Sequence, residues 1–309
     1  MVIVTKIGIK PLDSAAIFLA ILYIFTFGWM LGNPPRLNSL GSFLAWFLPV
    51  VWAPTIVAVV LMAIERGGAD AVREIRQRLT LPSGAARWLA IAVVVPMAIQ
   101  FAAIATARAA GDAAPFVAAG GVPQMIGIQM ITGAIGEEIG WRGFLLPRLG
   151  QRLGAKRAAW AMGVLWSLWH VPAFFTPGLP HQFMPMWLVL PAVACFGVFM
   201  AFVFNRAGGS VLVTMAAHLS LNVFSGIGGM EFSSPVFWGV VAAGMAGTAF
   251  VRPLAQLLDQ TGCSHPRAQG TLVRRMILSE IYLGIPHESS MLRMRESAIV
   301  LWALLRADS

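Results

Sequence analysis

The feature that most constrains this chain is a series of uninterrupted apolar runs that recurs from Ser14 to Val251. Each has the roughly 17 to 25 residues that a helix needs to cross a hydrocarbon core about 30 Å thick. Eight runs are read, with cores near 14–32, 42–64, 88–107, 122–141, 158–176, 186–204, 210–226 and 234–251. None alternates with period two, and only a helix satisfies every backbone group within one such segment. The expected fold is therefore all-α, a polytopic membrane bundle of about eight transmembrane helices. A composition of 58% apolar and 11% charged residues excludes an ordinary soluble domain.

The formal charge of +9 would suit nucleic acid, but its distribution gives another cause, the bias of Lys and Arg toward cytoplasmic loops. Lys6 and Lys10 precede the first run. Arg66, Arg73, Arg76, Arg78 and Arg87 follow the second, and Arg148, Arg152, Lys156 and Arg157 follow the fourth. With the N-terminus inside, these groups, Arg206 and the basic C-terminal segment are all cytoplasmic, leaving Arg36 and Arg108 outside. The expected topology is N-in, C-in, with lipid as the partner and no nucleic acid.

Residues 1–251 read as one transmembrane domain and 252–309 as a cytoplasmic tail whose last apolar run, SAIVLWALL, is too short to span. No repeat of fixed period is present. The first run is too long for a signal-peptide core and is read as an uncleaved anchor. Residues 65–87 read as a solvated basic connection. Cys195, within a span, and Cys263, in the tail, predict no disulfide and have no metal-ligand spacing. His265 and His287 lie among Pro and Ser in the tail and are left out of the site.

Between Asp112 and Glu231 the only acidic residues are adjacent, Glu137 and Glu138, in ITGAIGEEIGWRGFLLPRL. A carboxylate inside a span costs a few kcal/mol and normally faces a partner or a cavity. Adjacent helical residues point about 100° apart, so the two glutamates have different tasks. Glu138 and Arg142, at i and i+4, form an ion pair that leaves Glu137 unpartnered and suited to proton transfer. Gly136 and Gly140 invite a close helix neighbour. The next run carries Trp166 and His170 four residues apart, and the seventh carries His218 and Asn222 at the same spacing.

Either histidine alone would read as interhelical glue. Depth changes that reading. At 1.5 Å per residue from the cytoplasmic boundaries, Glu137 lies roughly 8 Å deep, His218 roughly 12 Å and His170 roughly 18 Å. Three helices bringing a carboxylate, imidazoles and a carboxamide to comparable depth predict one cavity open to the cytosol. His181, in TPGLPHQFMPM, falls on an outside loop and is excluded. Trp160, Trp169 and Trp187 are read as packing or interfacial residues, with Trp166 alone at the cavity.

These residues resemble the CAAX protease and bacteriocin-processing (CPBP) family of intramembrane proteases, type II CAAX prenyl endopeptidase-like, whose motifs are EExxxR, FxxxH and HxxxN. The first stands here as Glu137, Glu138 and Arg142, and the third as His218 and Asn222. The second reads WSLWH, with Trp166 for Phe and His170 retained. The likeness covers about residues 122–226. It implies that Glu137 and His170 activate water and that His218 and Asn222 stabilise the oxyanion, while Glu138, Arg142 and Trp166 support them. Peptide hydrolysis needs an activated water, oxyanion donors and a proton for the leaving amine, and this set can supply all three.

The expected function is glutamate-dependent cleavage, from the cytosolic side, of a membrane-associated peptide or protein, with no cofactor required. The expected location is a prokaryotic plasma membrane. A competing reading makes Glu137, His170 and His218 the three ligands of a catalytic Zn²⁺. Two further readings are a proton-coupled transporter and a non-catalytic, immunity-type membrane protein. The sequence specifies neither the substrate nor an oligomeric state.

Overall fold

Each of the eight apolar runs falls on helix in the computed structural model, which describes residues 11–35, 39–112, 121–227 and 232–250. The elements are α1 (Pro11–Gly32), α2 (Leu40–Arg66), α3 (Gly68–Arg78), α4 (Ala86–Ala109), α5 (Val122–Gln129), α6 (Ile135–Glu138), α7 (Leu146–Trp169), α8 (Met186–Arg206), α9 (Val211–Ile227) and α10 (Pro235–Phe250). Every regular element among the described residues is helical. The tail at 252–309 lies outside them, and so do Arg36, Cys263, His265 and His287.

Five helical stretches are long and apolar enough to cross a membrane: Asp13–Gly32, Leu40–Arg66, Ala86–Ala109, Val122–Phe175 and Met186–Arg206. The apolar parts of α9 and α10 are shorter. Outward faces carry large apolar side chains such as Ile24, 76% exposed, and Trp187, 71% exposed, as expected where the solvent is lipid. The Val122–Phe175 stretch breaks at Gly154, where φ of 73° is strained for any residue with a Cβ. Trp166 touches Glu137 across that break, so its two legs run back along each other and account for two of the eight runs.

The connection at 65–87 contains a helix, α3, where a solvated loop was expected. Its polar face is laced by Arg66–Glu74 at 2.7 Å and Arg78–Glu74 at 2.9 Å, while Ala71 is buried. Arg148 does more than mark topology. It is buried, pairs with Glu65 of α2, donates to the Phe144 carbonyl at 2.9 Å and reaches Ser14 of α1 at 3.2 Å.

Small residues set the closest approaches. A methyl at Gly136 would stand 2.6 Å from the Val51 carbonyl oxygen, and one at Gly140 would overlap the backbone of Pro54. The expected tight neighbour of the Glu137 helix is therefore α2. Helices α7 and α8 meet the same way, with Gly197 against Gly163. Two π-helical segments, Met130–Ala134 and Ile139–Leu145, bracket α6 and turn the chain more slowly around its axis than an α-helix does.

Candidate active site

The four residues of α6 hold both glutamates between these π segments. Glu138 is wholly buried. Its Oε1 accepts from Arg142 Nη1 at 2.9 Å and lies 2.9 Å from His218 Nδ1, so one carboxylate oxygen ties the α6 region to α9. Arg142 is also wholly buried, with its guanidinium carbon 4.1 Å from the ring centroid of Trp166. The expected i, i+4 pair is present, and it has a third member in His218.

Glu137, by contrast, is not without a partner, as the spacing had suggested. Trp166 Nε1 donates to its Oε2 at 2.8 Å. No i, i+4 relation predicts this bond, because the two residues come from different legs of the Val122–Phe175 stretch. Trp166 is thus the hub: it supports Arg142 on its face, holds Glu137 by its N–H, and stands nearly perpendicular to His170 and His218, with centroids 5.2 and 5.4 Å away. A phenylalanine, as in the family motif, would keep the ring contacts and lose the N–H.

His170 caps α7, and its Nδ1 lies 2.8 Å from the Trp166 carbonyl oxygen, which can only accept. Nδ1 therefore carries the hydrogen and Nε2 is free for the cavity. His218 likewise commits Nδ1 to Glu138. Its Nε2 and the Nδ2 of Asn222 both face Gly133, where a Cβ would lie 3.5 and 3.0 Å from them. The missing side chain of Gly133 keeps open the space in front of these two nitrogens. Sequence reasoning missed this glycine, and its position one helical turn before Glu137 is the signal that pointed to it.

Glu137, Trp166, His170, His218 and Asn222 line one cavity of about 380 Å³. So does His181, which had been excluded. The loop that carries it does not stay at the surface: a 3₁₀ turn, Pro180–Phe183, folds back so that the His181 ring meets Phe174 edge-on at 5.6 Å. Gln100 of α4 also lines the wall and carried no motif to mark it.

The cavity also corrects the expected side of access. Its walls come from Met30 late in α1, Phe43 and Phe47 early in α2, Phe174, Met184 and Phe232, all toward the bundle end that carries residues 176–185. Arg66, Arg87, Arg148, Arg152 and Arg157 belong to the opposite ends of their helices, and none lines it. An N-in orientation and a cytosol-open cavity therefore do not fit together. The depth sum failed because His170 terminates its helix at the far side.

The zinc reading fares poorly on geometry. Among the described residues, no three His, Cys, Asp or Glu side chains stand together as a metal-binding group, so Glu137, His170 and His218 do not form the ligand set. The reason is visible in the contacts: Trp166 stands beside both imidazoles and bonds Glu137, while His218 gives Nδ1 to Glu138.

Comparison with known proteins places this geometry in context. Residues 119–224 match the family described as type II CAAX prenyl endopeptidase Rce1-like, and the match spans all three motifs. A curated relative, CAAX prenyl protease 2 of Methanococcus maripaludis, is 25% identical over 143 residues, which are 44% of this chain and 52% of the relative. The chain thus matches about half the length of that relative.

Proposed function

Because residues 119–224 form an Rce1-like domain of the CAAX protease and bacteriocin-processing family, we propose that this chain is an intramembrane endopeptidase that hydrolyses a peptide bond with a glutamate-activated water. The observation that carries the proposal is the convergence of Glu137, His170, His218 and Asn222 on one cavity within an apolar bundle. Polar side chains are costly there unless a cavity uses them.

Glu137 takes the proton of the attacking water, with Oε2 held by Trp166 and Oε1 left for the water. His170 orients that water through Nε2 and relays the proton to the leaving amine. Asn222 Nδ2 and His218 Nε2 donate to the oxyanion in the space in front of Gly133. For His218 this requires the ring to carry both hydrogens, Nδ1–H on Glu138 and Nε2–H on the cavity. Glu138 and Arg142 fix the ring and touch no substrate. No metal enters these steps, so turnover should survive a strong chelator.

The substrate is a membrane-associated peptide or protein. With the basic loops kept inside, it reaches the cavity from the face that carries residues 176–185. Cysteine labelling tests this: a cysteine at 181 should react from outside and one at 152 from the cytosol. Reaction of 181 only from the cytosol would reverse the orientation.

The activity is tested by Glu137→Gln, which preserves shape and the acceptor for Trp166 but not a base. Membrane-proximal peptides cleaved in cells with the wild-type protein should disappear with the variant, at equal folded protein. Wild-type turnover by Glu137→Gln would sink the mechanism.

A further inference from the structure

Outside the catalytic set, two side chains on the cavity wall have a polar atom with no protein partner, Gln100 at Oε1 and His181 at Nδ1. Gln100 is 1% exposed. Its position is fixed by neighbours on both sides, since Phe101 packs on Phe224 of α9 with centroids 5.3 Å apart and Ile99 lies against Gly244 of α10. Other hydroxyls on the wall are already used. Thr26 accepts from Trp169, while Thr132 and Ser225 donate to the carbonyls of Ile128 and Leu221.

His181 stands close enough to His170 for their charges to interact, and its ring is held against Phe174. Burial lowers its pKa to about 4, so at neutral pH it is an uncharged imidazole with one N–H and one lone pair. Neither residue is needed for water activation or for the oxyanion. A buried polar atom without a partner costs free energy, and an extended peptide entering an apolar cavity suffers the same deficit at each N–H and C=O it takes out of water. The two deficits cancel where they meet.

We propose that Gln100 and His181 are substrate-positioning residues that hydrogen-bond the backbone of a peptide in the cavity, an inference that rests on reading the cavity as a peptide site. Gln100 Oε1 accepts from a peptide N–H. His181 takes a second backbone group toward the Phe174 end, and together they align the chain past Glu137.

The test uses the full chain carrying Glu137→Gln in lipid nanodiscs, with a fluorescent acetylated Leu-Ala octapeptide amide as probe. Gln100→Leu and His181→Phe keep the volume, and the latter keeps the ring against Phe174. Each should weaken probe binding about tenfold, the cost of one unmet buried hydrogen bond. Replacing alternate amides of the probe by esters should weaken binding to the parent but not to Gln100→Leu. The thermal midpoint of Gln100→Leu should be unchanged or higher, because the substitution removes an unpartnered buried amide, whereas a merely structural glutamine would make it fall. Unchanged affinity in both variants, or no binding of the probe to the parent, overturns the proposal. A wild-type protein that binds the probe but cleaves no peptide refutes the proposed activity and leaves the positioning role standing.

Discussion

Gly133→Ala tests the oxyanion space with a single methyl group. Its Cβ would stand 3.0 Å from Asn222 Nδ2 and 3.5 Å from His218 Nε2, so Asn222 must move by a few tenths of an ångström while His218 is merely touched. Removing one oxyanion donor typically lowers kcat by about 10² to 10³. Displacing one, and filling part of the space where the oxygen develops charge, should lower kcat by about 10- to 100-fold with little change in KM. Folding should not suffer, because Ala is favoured over Gly inside a helix by about 1 kcal/mol. Gly127→Ala is the control, since a Cβ there meets nothing within 4 Å. The assay is steady-state cleavage of an internally quenched peptide in nanodiscs, with thermal unfolding measured on the same samples. Normal kcat in a folded Gly133→Ala protein would refute the placement of the oxyanion between these nitrogens, and a loss of folded protein would refute the stability argument.

Two further predictions concern the groups around that space. Asn222→Ala should lower kcat by about 10² to 10³, and adding His218→Ala should cost less than the sum of the single losses, because residues acting as a unit are non-additive. Additive losses in a kinetic double-mutant cycle would argue against a shared oxyanion. Arg142→Met leaves Glu138 buried without its guanidinium and should destabilise the protein by about 3 to 5 kcal/mol, part of which Glu138→Gln in the same chain restores. Thermal or denaturant unfolding in detergent reads this, and full additivity of the two substitutions would show that the pair does not act as one.

The helices and the three motifs were legible because they rest on short-range regularities. Apolar length fixes a span, and i, i+4 spacing fixes a face, so Glu138–Arg142 and the tight glycines at 136 and 140 could be read from spacing alone. What escaped depends on how separate helices meet. Trp166 and Glu137 are joined only because the chain breaks at Gly154 and returns. The motif position of Trp166 marked an aromatic residue but not its N–H donor. His181 looked like a surface loop residue because loops are usually solvated, yet its turn folds back to line the cavity. The side of access was misjudged because depth was counted from one boundary of each helix without knowing which side of the bundle the walls enclose.

The π-helical segments on either side of Glu137 and Glu138 carry a consequence for how this site can vary. A π turn holds one more residue than an α turn, so each segment acts as a built-in insertion that sets the rotational phase of the helix beyond it. Deleting a single residue from Met130–Ala134 would let the ordinary ladder close and swing α6 about 100° around its axis, turning Glu137 away from the cavity. Side chains along this stretch can be exchanged within limits of size. Its length cannot, because the count of residues, and not only their identity, aims the catalytic carboxylate.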